Sequence, residues 1–185
     1  GGADMTPSRH AVASAALAAG CGLAWRSPEA AAAAFVGGTL LDVDHWFDYT
    51  WNRVGPFTVR RFVRLCVEYR LPKFYLLMHS FEWLIPFWLA AWMLPAPPWV
   101  RACTLGLILH MAMDMAGNGM ALGAYWFVYR WRHGFDARAM VLRLPPEAIC
   151  WWGSLGAYRR GRRSRAARGY RRPEVPERGP KRPVP

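Results

Sequence analysis

Apolar residues fall into four long runs along the chain, and acidic and basic residues are nearly excluded from them. The first run is His10 to Trp25 and the second Glu29 to Val43, separated by "RSPE". The third is Leu76 to Leu94, "LLMHSFEWLIPFWLAAWML", and the fourth Trp99 to Ala116, "WVRACTLGLILHMAMDMA". Pro-rich "PAPP" joins the last two, which predicts a tight helical hairpin. The third run has about the length a helix needs to cross a bilayer, roughly 20 residues. The first two are shorter and Ala-rich, and are expected to insert as a packed pair. The fold class expected is all-α: a multi-span helical membrane bundle of about four transmembrane helices, with interfacial helices beside it.

Two further stretches change period. In "FTVRRFVRLCVEYRL", Val59, Phe62, Val63, Cys66 and Val67 recur at helical spacing, with Arg60, Arg61, Arg64 and Glu68 around the other face. Such a helix either lies on an anionic membrane surface or packs as an ordinary surface helix on the bundle. After the fourth run, "ALGAYWFVYRWRHGF" reads as another interfacial helix.

Charge is segregated as strongly as hydropathy. The chain of 185 residues is 54% hydrophobic and carries a net charge of +12. From Tyr158 to the end, eleven Lys or Arg stand against two Glu, so the high pI describes this tail and not the body. Three parts are expected: an N-terminal extension over 1–9, a helical membrane domain over 10–157 and a basic, disordered tail over 158–185. The tail is expected either to be solvated or to bind lipid headgroups, or, through its arginines alone, to bind nucleic acid; without a base-reading module the last is disfavoured. Positive charge in the tail and in the loop before the third run places both, and the N-terminus, in the cytoplasm. Eleven tryptophans, many near the ends of the runs, suit an interfacial aromatic belt. Residues 1–4 read as an upstream extension of Met5; His10 and the lack of a clear cleavage site argue against a cleaved signal peptide. The four cysteines, Cys21, Cys66, Cys103 and Cys150, form no CxxC pair and read as reduced thiols.

The candidate chemistry lies at the ends of the runs. With alternating topology, His10 opens the first on the cytoplasmic side, and the second returns there to end in Asp42, Asp44 and His45. The third leaves from that side with His79 and Glu82, and the fourth comes back with His110 and Asp114. The pairs 79/82 and 110/114 each share a helix face. An unpaired Asp near mid-bilayer costs about 2.5–3.5 kcal/mol, so these residues are expected to compensate one another in one polar site. Mixed His and carboxylate donors suit zinc, manganese or iron, and so many candidates allow two ions roughly 3.5–4 Å apart. Asp48 reads as a loop acid and His133 as a surface cation.

At these residues the chain resembles the bacterial membrane-bound metal-dependent hydrolase family of small inner-membrane proteins. That family has an early His, a "PDxDH" motif closing the second helix, an "HRGxTHS" motif and a late "HxxxD". Here His10, "LDVDH" with Leu41 in place of the proline, and "HMAMD" resemble the first, second and last. "FYLLMHS" keeps His79 and Ser80, with Phe74 and Tyr75 in place of the His-Arg and Leu76 in place of Gly, as in a divergent branch. The motif style is more distantly similar to that of zinc-dependent phospholipase C. The resemblance covers about residues 5 to 147.

It implies a metal-dependent hydrolase in the bacterial inner membrane, acting on a small-molecule or lipid-like phosphoester that approaches from the leaflet. His10, Asp42, Asp44, His45, His79, His110 and Asp114 would hold one or two ions. Glu82 or Asp44 would serve as general base, and Arg70 could neutralise phosphoryl oxygens. The alternatives are a non-catalytic membrane protein with a structural or sensing metal, and an ion or proton conduit. Conduction is the weakest reading, because the polar residues gather at one face.

Overall fold

A computed structural model describes residues 7–152. The chain divides between Trp152 and Gly153, so the expectations for the N-terminal extension before residue 7 and for the basic tail lie outside the described residues. The described part is all-helical: two isolated bridges, Lys73 with Asp136 and Met120 with Val141, are its only β-type pairings.

The first two runs form α1 (Pro7–Trp25) and α2 (Pro28–Thr39). Their junction follows from "RSP": Arg26 takes a left-handed φ of 49°, Ser27 caps α2 by accepting from the Ala30 amide at 3.1 Å, and Pro28 fills the first position. The second run then tightens into a 3-10 turn, Leu40–Asp44, and continues as α3 (His45–Trp51). The amphipathic stretch forms α4 (Val59–Val67), capped by Thr58. The third run starts helical structure late, as α5 (Phe81–Met93) with Pro86 inside it. The fourth is α6 (Pro98–Gly117), again with proline at its first position. The aromatic-basic segment becomes a 3-10 turn, Leu122–Tyr125, then α7 (Phe127–Arg132), followed by α8 (Ala137–Met140).

Helices α1, α2 and α6 pack against one another, and α5 lies chiefly on α6. The α2–α6 crossing is set by glycine. A Cβ on Gly37 would stand 2.4 Å from the Cys103 carbonyl oxygen, and one on Gly106 2.3 Å from that of Ala34. Gly38 is as tight against Ser14 of α1. Backbone therefore lies on backbone at the end of α2 from which Asp42 hangs.

No helix among the described residues is long and apolar enough to cross a membrane. At 1.5 Å per residue, the 13 residues of α5 reach only about 20 Å. The expected transmembrane third run falls short because residues 76–80 are drawn into a loop. Even so, the outer surface is apolar: Val12 is 73% exposed, Leu23 80% and Met93 78%, and Trp83, Phe87, Trp88 and Trp92 stand out from α5. No Asp, Glu, Lys or Arg occurs between Arg9 and Arg26, Glu29 and Asp42, or Glu82 and Arg101.

Candidate metal centre

Six side chains from five segments of the chain meet at the end of the bundle opposite the "RSPE" and "PAPP" turns. They are His10 of α1, Asp42 of the 3-10 turn, His45 of α3, His79 of the loop before α5, and His110 and Asp114 of α6. They form three interlocking groups: His10, Asp42 and His110; Asp42, His45 and His79; His79, His110 and Asp114. Within each group the potential ligand atoms lie within 4.8 Å of one another, close enough to hold a metal ion.

The third group is the tightest. His79 Nε2 stands 3.3 Å from His110 Nε2 and 3.5 Å from Asp114 Oδ2, and His110 Nε2 is 3.4 Å from the same oxygen. Ligands about 2.0–2.1 Å from a tetrahedral zinc are about 3.3–3.4 Å apart, so this triangle has the dimensions of one face of such a shell. Asp42 Oδ1 lies 3.5 Å from His110 Nε2 and 3.9 Å from His45 Nε2. His10 stacks on His110 with ring centroids 4.0 Å apart, its Nε2 3.0 Å from Asp114 Oδ1 and its buried Nδ1 without a hydrogen-bond partner.

Three imidazoles have an oxygen acceptor behind the far nitrogen, two of them within hydrogen-bond reach. His110 Nδ1 is 3.0 Å from the Gly38 carbonyl, which holds a proton there and turns Nε2 toward the carboxylates of Asp114 and Asp42. His79 Nδ1 is 3.2 Å from Asp44 Oδ2, and His45 Nδ1 3.5 Å from Asp48 Oδ2. Burial is the largest influence on His79 and holds its imidazole below the ordinary value in spite of Asp44. At His45 burial works the same way, but the bond and charge of Asp48 outweigh it and the value rises. Burial also disfavours charge on Asp42 and Asp44, yet His110 and His79 respectively overcome it, and both carboxyls sit below their usual range. Ionised acids and a neutral imidazole are the donor set a divalent cation needs.

Asp44, expected as a metal ligand or base, belongs to none of the three groups and stands behind His79. Fully buried, its Oδ2 accepts from the Met78 amide at 2.7 Å and the His79 amide at 3.3 Å while facing the His79 ring. Asp48 departs from its reading as a loop acid. It is also fully buried, and its Oδ1 accepts from the Tyr75 and Leu76 amides at 2.6 and 3.2 Å. Asn52, four residues on, exchanges hydrogen bonds with Lys73: its Nδ2 donates to the carbonyl at 2.7 Å, and the Lys73 amide donates to its Oδ1 at 3.2 Å. Asp44, Asp48 and Asn52, from the residue before α3 to the residue after it, thus line one side and grip the 73–79 loop by its amides.

The same loop is gripped by its carbonyls from the other side. Arg130 of α7 is fully buried and donates to the carbonyls of Tyr75 (3.0 Å), Leu76 (2.6 Å), His79 (2.9 Å) and Ala124, and to the Ser80 hydroxyl (2.6 Å). Burial pulls its guanidinium down to about 10, still charged at neutral pH. The loop's left-handed turn at Leu76, φ 45°, lies between these two clamps.

Glu82 does not reach the centre. It accepts from the Phe127 and Val128 amides at 2.9 and 3.0 Å and so caps α7. That removes it as a candidate base. Arg70 is paired with Glu68. His133 is exposed, its ring nitrogen against the Tyr129 carbonyl, as a surface residue would be.

A cleft opens onto His10, Asp42 and His45, with the apolar face of α4 as one wall. The amphipathic helix thus turns its apolar side inward to the site. Cys66 lies in that wall; burial, with the nearby Asp48 and Asp42 carboxylates, pushes its thiol up and keeps it protonated.

Compared with known proteins, the chain matches no family model, no curated protein and no solved structure.

Proposed function

We propose that the chain is a metal-dependent hydrolase of the membrane-bound kind its motifs resemble, acting on a phosphoester at the cytoplasmic face of a bacterial inner membrane. The observation that carries this reading is the His79–His110–Asp114 triangle, with its 3.3–3.5 Å edges and its ring nitrogens engaged from behind. Zinc suits the donors best, with manganese or iron next, as one ion or two. A bound divalent cation supplies Lewis acidity and lowers the pKa of water from about 15.7 toward 7.

The chain's own residues divide the remaining work. His79, His110 and Asp114 form the closed face, and His10 holds Asp114 from the side. Asp42 and His45 are part-exposed to the cleft. His45, with Asp48 behind Nδ1, is placed to take a proton at Nε2 from an attacking water and return it to the leaving oxygen. The apolar outer faces of α1, α2, α5 and α6 support lodging in lipid, with the centre at the end that carries the charged loops.

A second reading is a structural or sensing metal site without catalysis. Phe74 and Tyr75 standing where the resembled family has His-Arg favour it, as does the pairing of Arg70 with Glu68.

The test is metal content by mass spectrometry of purified protein, wild type beside His110→Ala, followed by a phosphoesterase screen. One or two transition-metal ions per chain, lost in the variant, with hydrolysis of a phosphoester, is the expected result. Metal without hydrolysis would leave the structural reading. Protein that stays metal-free after reconstitution with zinc and manganese would overturn both.

A further inference from the structure

The cleft that opens onto the centre is two-sided in its chemistry. Its floor is His10, Asp42 and His45. Its walls are apolar: Phe62, Val63 and Val67 from α4, Leu76 from the clamped loop, and Pro7 and Met120 at the edges. Among the described residues, no Lys or Arg lines it. Two further polar groups line it, each with a partner of its own: Asn118 donates to Asp114 at 2.9 Å, and the Tyr69 hydroxyl accepts from the Gly119 amide at 3.2 Å.

This lining separates classes of phosphoester. A nucleotide or sugar phosphate brings further charges or hydroxyls beyond the scissile group, and these would face α4 with nothing to pair with. Leaving such groups unpaired is costly. A long alkyl chain would meet apolar walls, with a gain that grows with each methylene buried.

We infer that the cleft seats the apolar chain of a phosphate monoester of a long-chain alcohol, with α4 setting the chain preference and the phosphate directed to the His/Asp centre. This rests on the hydrolase reading for its reaction, though not for its binding. In that reaction the water oxygen forms the new P–O bond, and the P–O bond to the alkoxide breaks. The alkoxide takes the proton released by the water, so the products are inorganic phosphate and the free alcohol. The continuity of floor and wall in one cleft makes the chain wall part of the same site.

The experiment has two arms, both on the full chain loaded with zinc in lipid nanodiscs and corrected with empty nanodiscs. In the first, butyl-, octyl- and dodecylphosphonate, which cannot be hydrolysed, are titrated by calorimetry. Affinity is expected to rise at least tenfold from butyl to octyl, and the rise to shrink at least threefold in Val63→Gln, whose side chain is part-exposed in the α4 wall and tolerates the change. Equal affinities for butyl and octyl, or a rise unaltered in Val63→Gln, would overturn the inference. In the second arm, phosphate release is measured from the matching alkyl phosphates and from glucose 6-phosphate. Chain-dependent binding without release would retire the hydrolase and leave the chain site standing. Release at one rate from every ester would retire the chain site and leave the hydrolase.

Discussion

Asp44 Oδ2 lies 3.2 Å from Nδ1 of His79, whose Nε2 is 3.3 Å from that of His110. The carboxylate thereby sets both the tautomer and the aim of an imidazole that belongs to two of the three candidate ligand groups.

Asp44→Ala is expected to weaken metal binding by roughly 10–100-fold, the usual effect of losing a carboxylate behind a ligating histidine. Competition against a chelator of known affinity measures it. An affinity within twofold of wild type would show that His79 is aimed by something else.

Arg130→Met should destabilise the fold by about 3 kcal/mol or more, because three carbonyls of the 75–79 loop lose their donor in a buried place. Arg130→Lys should recover little, since an ammonium cannot reproduce the planar fork. Thermal unfolding reads the loss, and metal content should fall in parallel as His79 loosens. A stable, fully loaded Arg130→Met protein would contradict the clamp.

Glycine substitutions separate the helix crossing from helix propensity. Gly106→Ala puts a methyl 2.3 Å from the Ala34 carbonyl, and is expected to cost about 1–3 kcal/mol and weaken the metal site. Gly20→Ala, with nothing within 4 Å of the new methyl, should stabilise α1 by about 0.5–1 kcal/mol. Equal effects on denaturant midpoints would remove the crossing as the reason for glycine.

Glu82→Gln should leave metal content and any phosphoesterase rate unchanged and cost about 1 kcal/mol or less through a weaker cap on α7. A rate loss of a hundredfold with stability intact would restore Glu82 as a catalytic candidate.

The parts of this molecule that were legible in the sequence are those governed by short spacings. The apolar runs mark α1, α2, α5 and α6, "RSP" carries its own stop and start, and His110 with Asp114 is an i,i+4 pair. The late start of α5 was not legible, because it depends on Asp48 and Arg130 holding the 75–79 loop from 27 and about 51 residues away. A local signal for half of that clamp was present: Asp44, Asp48 and Asn52 recur at intervals of four through "DHWFDYTWN". Asp42 and Asp44 look alike in "DVD", yet only the first is in the ligand groups. Arg130 had no comparable signal, for in "VYRWRHGF" it looks like its exposed neighbour Arg132.

Gly38 gives its carbonyl to His110 and the space of its missing side chain to Ser14. The distance between helices is therefore also the gauge of the imidazole's position, with no flexible side chain between the two to absorb error. A slip of a few tenths of an ångström along α2 would be felt as a change in which cation the centre prefers before it was felt as unfolding.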